Sequence, residues 1–122
     1  MNGRTPKEEA LIDGLDDWTH AAWIYGCTRL AGITDPEQRR TLAIGVIAEL
    51  IVQGLKVLGD VDDQGHHPWP QSPGDAIERI TREWLTEWLD GVPTPGAIVW
   101  LANTPSGDEI ARRVLAREES TS

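Results

Sequence analysis

Apolar residues recur along this chain at helical spacing in four blocks, and the same local signal stands ahead of each. Leu11, Leu15, Trp18, Ala22 and Tyr25 form one stripe, with Ile12, Ala21 and Ile24 beside it. Leu42, Val46, Ile47, Leu50 and Ile51 form a second stripe, and Ile77, Ile80, Trp84, Leu85, Trp88 and Leu89 a third. Ile110, Ala111, Val114 and Leu115 form the last. A recurrence of three or four residues puts these side chains on one helical face. Ahead of the blocks stand Thr5-Pro6, Asp35-Pro36, Ser72-Pro73 and Thr104-Pro105. Each pair places a capping oxygen where the first turn has orphan N–H groups, and a proline where no N–H is needed. Glu8 and Gln38 complete capping boxes in the first two. The spacing predicts a first helix running to about Leu30, a second ending at Gly54, a third ending at Gly91, and a fourth fraying into the polar tail from Glu118 to Ser122.

Two short β-branched runs lie between the helices. Leu55 to Val61 follows the second helix, and Ala97 to Leu101 precedes the fourth. Both are bounded by turn residues and can pair as an antiparallel ribbon. Thr94-Pro95-Gly96 leaves a short helix open for the second run. Asp62 to Gln71, with His66, His67, Pro68 and Pro70, reads as a loop. The expected fold is therefore mainly α with a small antiparallel β-ribbon, an α+β chain of about four helices. At 122 residues it is a single domain over 1–122, with an ordered core of about 5–117 and a polar tail at 118–122.

The order of these elements resembles a winged-helix domain over roughly residues 35–117. A helix (Asp35 to Gly54) runs into a strand (Leu55 to Val61), and a later strand ends in Trp100-Leu101-Ala102-Asn103-Thr104-Pro105-Ser106-Gly107 before a final helix. That ending looks like the ending of many bacterial winged-helix regulators. It departs from the family in a helical insert (Ser72 to Gly91) where a short wing should be, and in lacking a basic surface. The pattern Gly59-Asp60-Val61, Pro68-Trp69, Trp84 and Ile98 to Gly107 is similar to small uncharacterised proteins of high-GC bacteria, some of which sit beside secreted toxins. Nine of the eleven basic residues are Arg, in keeping with that source.

Charge narrows the partner. Twenty acidic residues against eleven basic ones give a net charge of −9, which disfavours non-specific nucleic-acid binding. The acids gather at Asp13, Asp16 and Asp17 and again at Asp60, Asp62 and Asp63. The single Cys excludes an internal disulfide and fits a reducing compartment. With no apolar leader and no unbroken apolar span of about 20 residues, the expected location is the cytoplasm.

Metal and catalytic motifs fall short of what their chemistry requires. His66 and His67 are adjacent, and neither His20 nor Cys27 completes a zinc set at a recognised spacing. Asp60, Asp62 and Gln64 resemble an EF-hand opening, but Gln71 stands where the bidentate Glu belongs. Glu9, Asp13, Asp16 and Asp17 facing Glu83 and Glu87 would suit a Mg²⁺-dependent phosphate-processing enzyme, the least favoured reading. There is no nucleophile elbow or phosphate loop, and Cys27 reads as a small buried hydrophobe. No catalytic residue, metal or cofactor is expected, and the chain is not expected to be an enzyme. The expected function is a small acidic protein-binding module of immunity or antitoxin type, which neutralises a basic toxin by stoichiometric occlusion. Its contact residues would be Asp13, Asp16, Asp17, Asp60, Asp62, Asp63 and the loop residue Trp69. The alternative is a winged-helix DNA-binding regulator using Arg39, Arg40 and Arg112.

Overall fold

The computed structural model describes residues 3–89 and 91–121. Met1, Asn2, Asp90 and Ser122, of which Ser122 closes the polar tail noted above, lie outside the described residues. The elements are α1 (Pro6–Asp13), β1 (Thr19–His20), α2 (Ala21–Cys27), a 3₁₀ turn (Thr28–Ala31), α3 (Pro36–Val52), β2 (Lys56–Asp62), β3 (Gly65–Pro68), α4 (Pro73–Glu87), β4 (Trp100–Asn103) and α5 (Pro105–Thr121). The architecture is mainly helical α+β, with one antiparallel sheet in the order β1-β4-β2-β3.

The four cap–proline pairs all start helices. Thr5 accepts from the Glu8 N–H at 3.1 Å while Glu8 reaches back to the Thr5 N–H at 3.0 Å. Asp35 accepts from Gln38, Ser72 from Asp75 and Thr104 from Gly107. At the far end of α3, the Gly54 N–H reaches Ile51 O and the Leu55 N–H reaches Leu50 O. This double closure needs the left-handed φ of 72° that Gly54 supplies. It turns the chain directly from α3 into β2.

The first helix differs from expectation. Its stripe is broken at Gly14, and Leu15 to Trp18 form a turn leading to β1. The apolar spacing continues across the break, but Thr19 and His20 pair with Leu101 and Trp100 instead. His20 then caps α2, its Nδ1 accepting from the Trp23 N–H at 3.2 Å. The described residues thus contain five α-helices rather than about four. Other boundaries move too, and α4 closes at Glu87, short of the expected Gly91. Asp62 to Gln71 is not wholly loop: β3 pairs with β2 through a two-residue turn in which Asp62 accepts from the Gln64 N–H at 2.7 Å. Pro68 is tolerated because β3 is an edge strand. The ribbon partner starts at Trp100, since Ala97 closes a turn on Thr94 and Ile98 sits at a φ of 73°. Its antiparallel pairing with β2 is as expected. At the C-terminus, helix continues to Thr121, and Glu118 holds Arg4 through two bonds of 2.7 and 2.9 Å.

One core joins the elements: Leu11 from α1, Ile24 from α2, Ile47 and Leu50 from α3, Ile80 and Trp84 from α4, Leu58 and Leu101 from the sheet. No helix among the described residues is long and apolar enough to cross a membrane. Trp84 is fully buried, as its stripe predicts, but Trp18 is 39% exposed. Its predicted place on the first stripe is lost with the break at Gly14.

Candidate functional site

The break in the first helix builds the most distinctive surface of the molecule. α1 ends at Asp13, the turn carries Asp16, Asp17 and Trp18, and the first turn of α2 carries Trp23. These residues border a hollow of about 210 Å³ with Thr19 in its wall. The Trp23 indole N–H donates to Asp13 Oδ2 at 2.6 Å, which fixes the ring beside the carboxylate. Asp17 Oδ1 accepts from the Trp18 backbone N–H at 2.7 Å. Trp23 is 49% exposed, so both tryptophans present ring surface to solvent. Among the described residues, no ion pair engages Asp13, Asp16 or Asp17.

The second acidic group lies on a hairpin whose closing residues, Gly65 and His66, approach Trp18. Asp62 and Asp63 lie at the β2–β3 turn, which Gly65 closes. A Cβ at Gly65 would stand 4.0 Å from Trp18 Cη2, and the His66 ring lies 6.4 Å from that of Trp18. Trp18 therefore separates the Asp16–Asp17 turn from the hairpin. Within the hairpin Asp62 has a structural task. The Gln64 N–H, and then His67 Nε2 at 2.8 Å, hold its carboxyl below the usual carboxylate range. Asp60 and Asp63 are exposed.

His20 extends the aromatic surface across the sheet. Its ring meets Trp100 edge-on at 5.1 Å and Trp23 at 6.2 Å. Burial lowers its pKa, which favours neutral imidazole. With Nδ1 accepting from Trp23, the remaining proton belongs on Nε2. On the other side of Trp23 lies a second hollow of about 440 Å³, bordered by Glu9, Asp13, His20, Arg29 and Pro95. Its charge is largely balanced: Glu9 pairs with Arg4 at 2.9 Å and with Arg29 at 3.9 Å.

The structure places the other sequence candidates elsewhere. Trp69 is packed against the core, with the Arg79 guanidinium 3.7 Å from its ring centre and its backbone N–H on Leu58 O. Arg39 is drawn inward, donating to Thr28 Oγ1 at 2.8 Å and Tyr25 O at 3.1 Å while lying over the Tyr25 ring. Arg40 donates to Leu89 O at 3.0 Å, and Arg112 is exposed on α5. No three or more His, Cys, Asp or Glu among the described residues are arranged to hold a metal ion.

Sequence reasoning missed Lys56. It lies on the inner face of β2, 2% exposed, and donates to Thr19 Oγ1 at 3.2 Å across β4. Burial pushes its ammonium down to about 8, against attraction from Asp13 and Asp108. Burial likewise pushes the Cys27 thiol up to about 12. Beside Lys56, Asn103 Nδ2 donates to Leu11 O and Asp108 Oδ1, tying β4 to α1 and α5. Gly14 leaves room for both side chains, since a Cβ there would collide with Asn103 Oδ1 and lie 2.6 Å from Lys56 Nζ. A charged side chain at this position carries no local signal of burial, yet Lys56 is buried while its neighbour Val57 is 36% exposed.

Comparison with known proteins gives no matching family, no similar curated protein and no similar solved structure.

Proposed function

We propose that this chain is an acidic protein-binding module that occludes a basic partner stoichiometrically, in the manner of an immunity protein or antitoxin. The observation that carries the reading is the convergence at Trp18. Asp13, Asp16 and Asp17 border one hollow with two exposed tryptophans, and the hairpin that carries the second acidic group approaches Trp18 through Gly65 and His66. Exposed tryptophan offers much contact area for few rotatable bonds. Asp16 and Asp17, which enter no ion pair among the described residues, attract a cationic surface and speed encounter with it. The net charge of −9 works in the same direction over longer range.

The test is a complex purified from the native host at low ionic strength, then rebuilt from its two components. A basic protein bound 1:1 is expected. Its association rate should fall at least tenfold between about 20 and 200 mM salt, as for electrostatically steered pairs. The double change Asp16→Asn and Asp17→Asn should slow association while leaving the melting temperature within about 2 °C, since surface changes of this kind are nearly neutral for stability. Recovery of DNA alone, or an association rate indifferent to salt, would overturn the reading.

A further inference from the structure

We propose that the hollow between Trp18 and Trp23 seats one arginine side chain of the protein partner. The proposal deepens the reading above and rests on it for the nature of the partner.

Four features of the hollow point to this occupant. Its volume of about 210 Å³ is smaller than the roughly 300–1,000 Å³ of pockets that enclose whole small ligands, so it suits a single side chain. Its walls combine two half-exposed indole rings with three carboxylates, the pairing that attracts an organic cation to a ring face. Asp16 and Asp17 enter no ion pair among the described residues, whereas the hollow behind Trp23 carries Arg29 on its rim and Glu9 already paired. A cation is thus directed to the Trp18 side of the Trp23 ring. Finally, the ring and the carboxylate are held in place before any partner arrives, because Asp13 Oδ2 takes the indole N–H at 2.6 Å.

Arginine fits these walls better than lysine. A planar guanidinium lies flat on an aromatic face and still directs N–H groups sideways at carboxylates, while an ammonium remains strongly hydrated. The molecule sets a guanidinium over an aromatic ring twice internally, with its N–H groups on neutral oxygens: Arg39 lies 4.4 Å from the Tyr25 ring centre and Arg79 3.7 Å from that of Trp69.

The experiment follows the indole N–H resonances of the ¹⁵N-labelled full chain during titration with three capped pentapeptides. Each has glycines around a central arginine, lysine or citrulline, and ionic strength is matched throughout. The arginine peptide should shift the Trp18 and Trp23 signals saturably, with the lysine peptide at least threefold weaker. The citrulline peptide, which has the same shape without the charge, should shift neither. Asp16→Asn with Asp17→Asn should weaken arginine binding about tenfold. Trp23→Phe, which keeps a ring but loses the bond to Asp13, should also weaken it, and its unchanged far-ultraviolet circular dichroism would show that the fold survives. Equal shifts by arginine and citrulline peptides, or a response confined to other tryptophans, would overturn the proposal. Tighter lysine binding would overturn the arginine assignment.

The two readings fail separately. If a basic partner binds Trp18→Ala and Trp23→Ala variants as tightly as wild type, the seat is wrong and the protein-binding module stands. If the arginine peptide binds as described but no basic protein forms a complex, the seat stands and the module reading falls.

Discussion

Raising the pH from 7 to 11 should first strengthen this fold and then weaken it, because two buried groups on neighbouring elements titrate in opposite senses. Lys56 has a folded pKa of about 8 against an ordinary 10.5. Below pH 8 both folded and unfolded chains hold its proton, and the cost of the buried ammonium is present in full. Between 8 and 10.5 the unfolded chain binds more protons than the folded one, so stability rises with pH. Cys27 has a folded pKa of about 12 against an ordinary 9.0. From pH 9 upward the unfolded chain loses a proton that the folded chain keeps, so stability falls. Each group contributes a slope of about 1.4 kcal/mol per pH unit in its own window. Wild type should therefore gain about 1 kcal/mol between pH 8 and 9, stay level to about 10.5, and lose stability beyond.

Substitution separates the two limbs. With Cys27→Ala, the rise should continue to about pH 10.5 and total about 3 kcal/mol. With Lys56→Met, which replaces the ammonium by an apolar side chain of similar length, the rise should vanish and the decline begin near pH 9. The same variant should gain stability at pH 7, by up to about 3 kcal/mol, since a buried charge gives way to an apolar group. The assay is urea unfolding followed by tryptophan fluorescence under reducing conditions at half-unit pH steps. Differences between variant and wild type cancel the titration of every other group. A Lys56→Met protein that keeps the alkaline rise would refute the reasoning, as would a wild type that weakens steadily from pH 8.

Three further outcomes follow from contacts away from the candidate site. Gly107→Ala should cost about 2–3 kcal/mol, since its Cβ would overlap the backbone oxygen of Leu55 and meet Leu11 Cδ2 at 3.2 Å, and chemical denaturation would measure it. Arg39→Ala should destabilise by about 2 kcal/mol through lost bonds to Thr28 and Tyr25 O and the lost ring contact, whereas Arg112→Ala should stay within about 0.5 kcal/mol. Arg4→Ala removes the clamp between Glu9 and Glu118, so amide hydrogen exchange should quicken in the last turn of α5 well before it changes in α3.

The helix starts were legible because capping is a local event. Thr5, Asp35, Ser72 and Thr104 each close on an N–H three residues away, and no distant contact is needed to decide them. The break at Gly14 was not legible for the opposite reason. Leu11, Leu15, Trp18, Ala22 and Tyr25 keep helical spacing through it, and only pairing with Leu101 and Trp100, some eighty residues on, favours a strand at Thr19 and His20. The candidate site divides in the same way. Its acids were visible as a charge pattern, and Trp23 stood off the first stripe. Trp18 and the approach of the hairpin depend on the sheet, which the local pattern does not specify.

Lys56 links these two failures of local reasoning. A two-residue edge strand has little pairing of its own to hold it. On the inner face of the sheet, Lys56 reaches diagonally across β4 and donates to Thr19, the first residue of that strand. Gly14 supplies the space, and Asn103, the register partner of Lys56 on β4, binds the end of α1. The turn carrying Asp16, Asp17 and Trp18 is thus anchored at both ends: by Asn103 on Leu11 O before it and by Lys56 on Thr19 after it. An apolar residue at 56 would make the core more stable but would release the second anchor. Lys56→Met should accordingly gain stability and lose order at Trp18 together, a combination that neither a core lysine of no consequence nor a lysine needed for folding would produce.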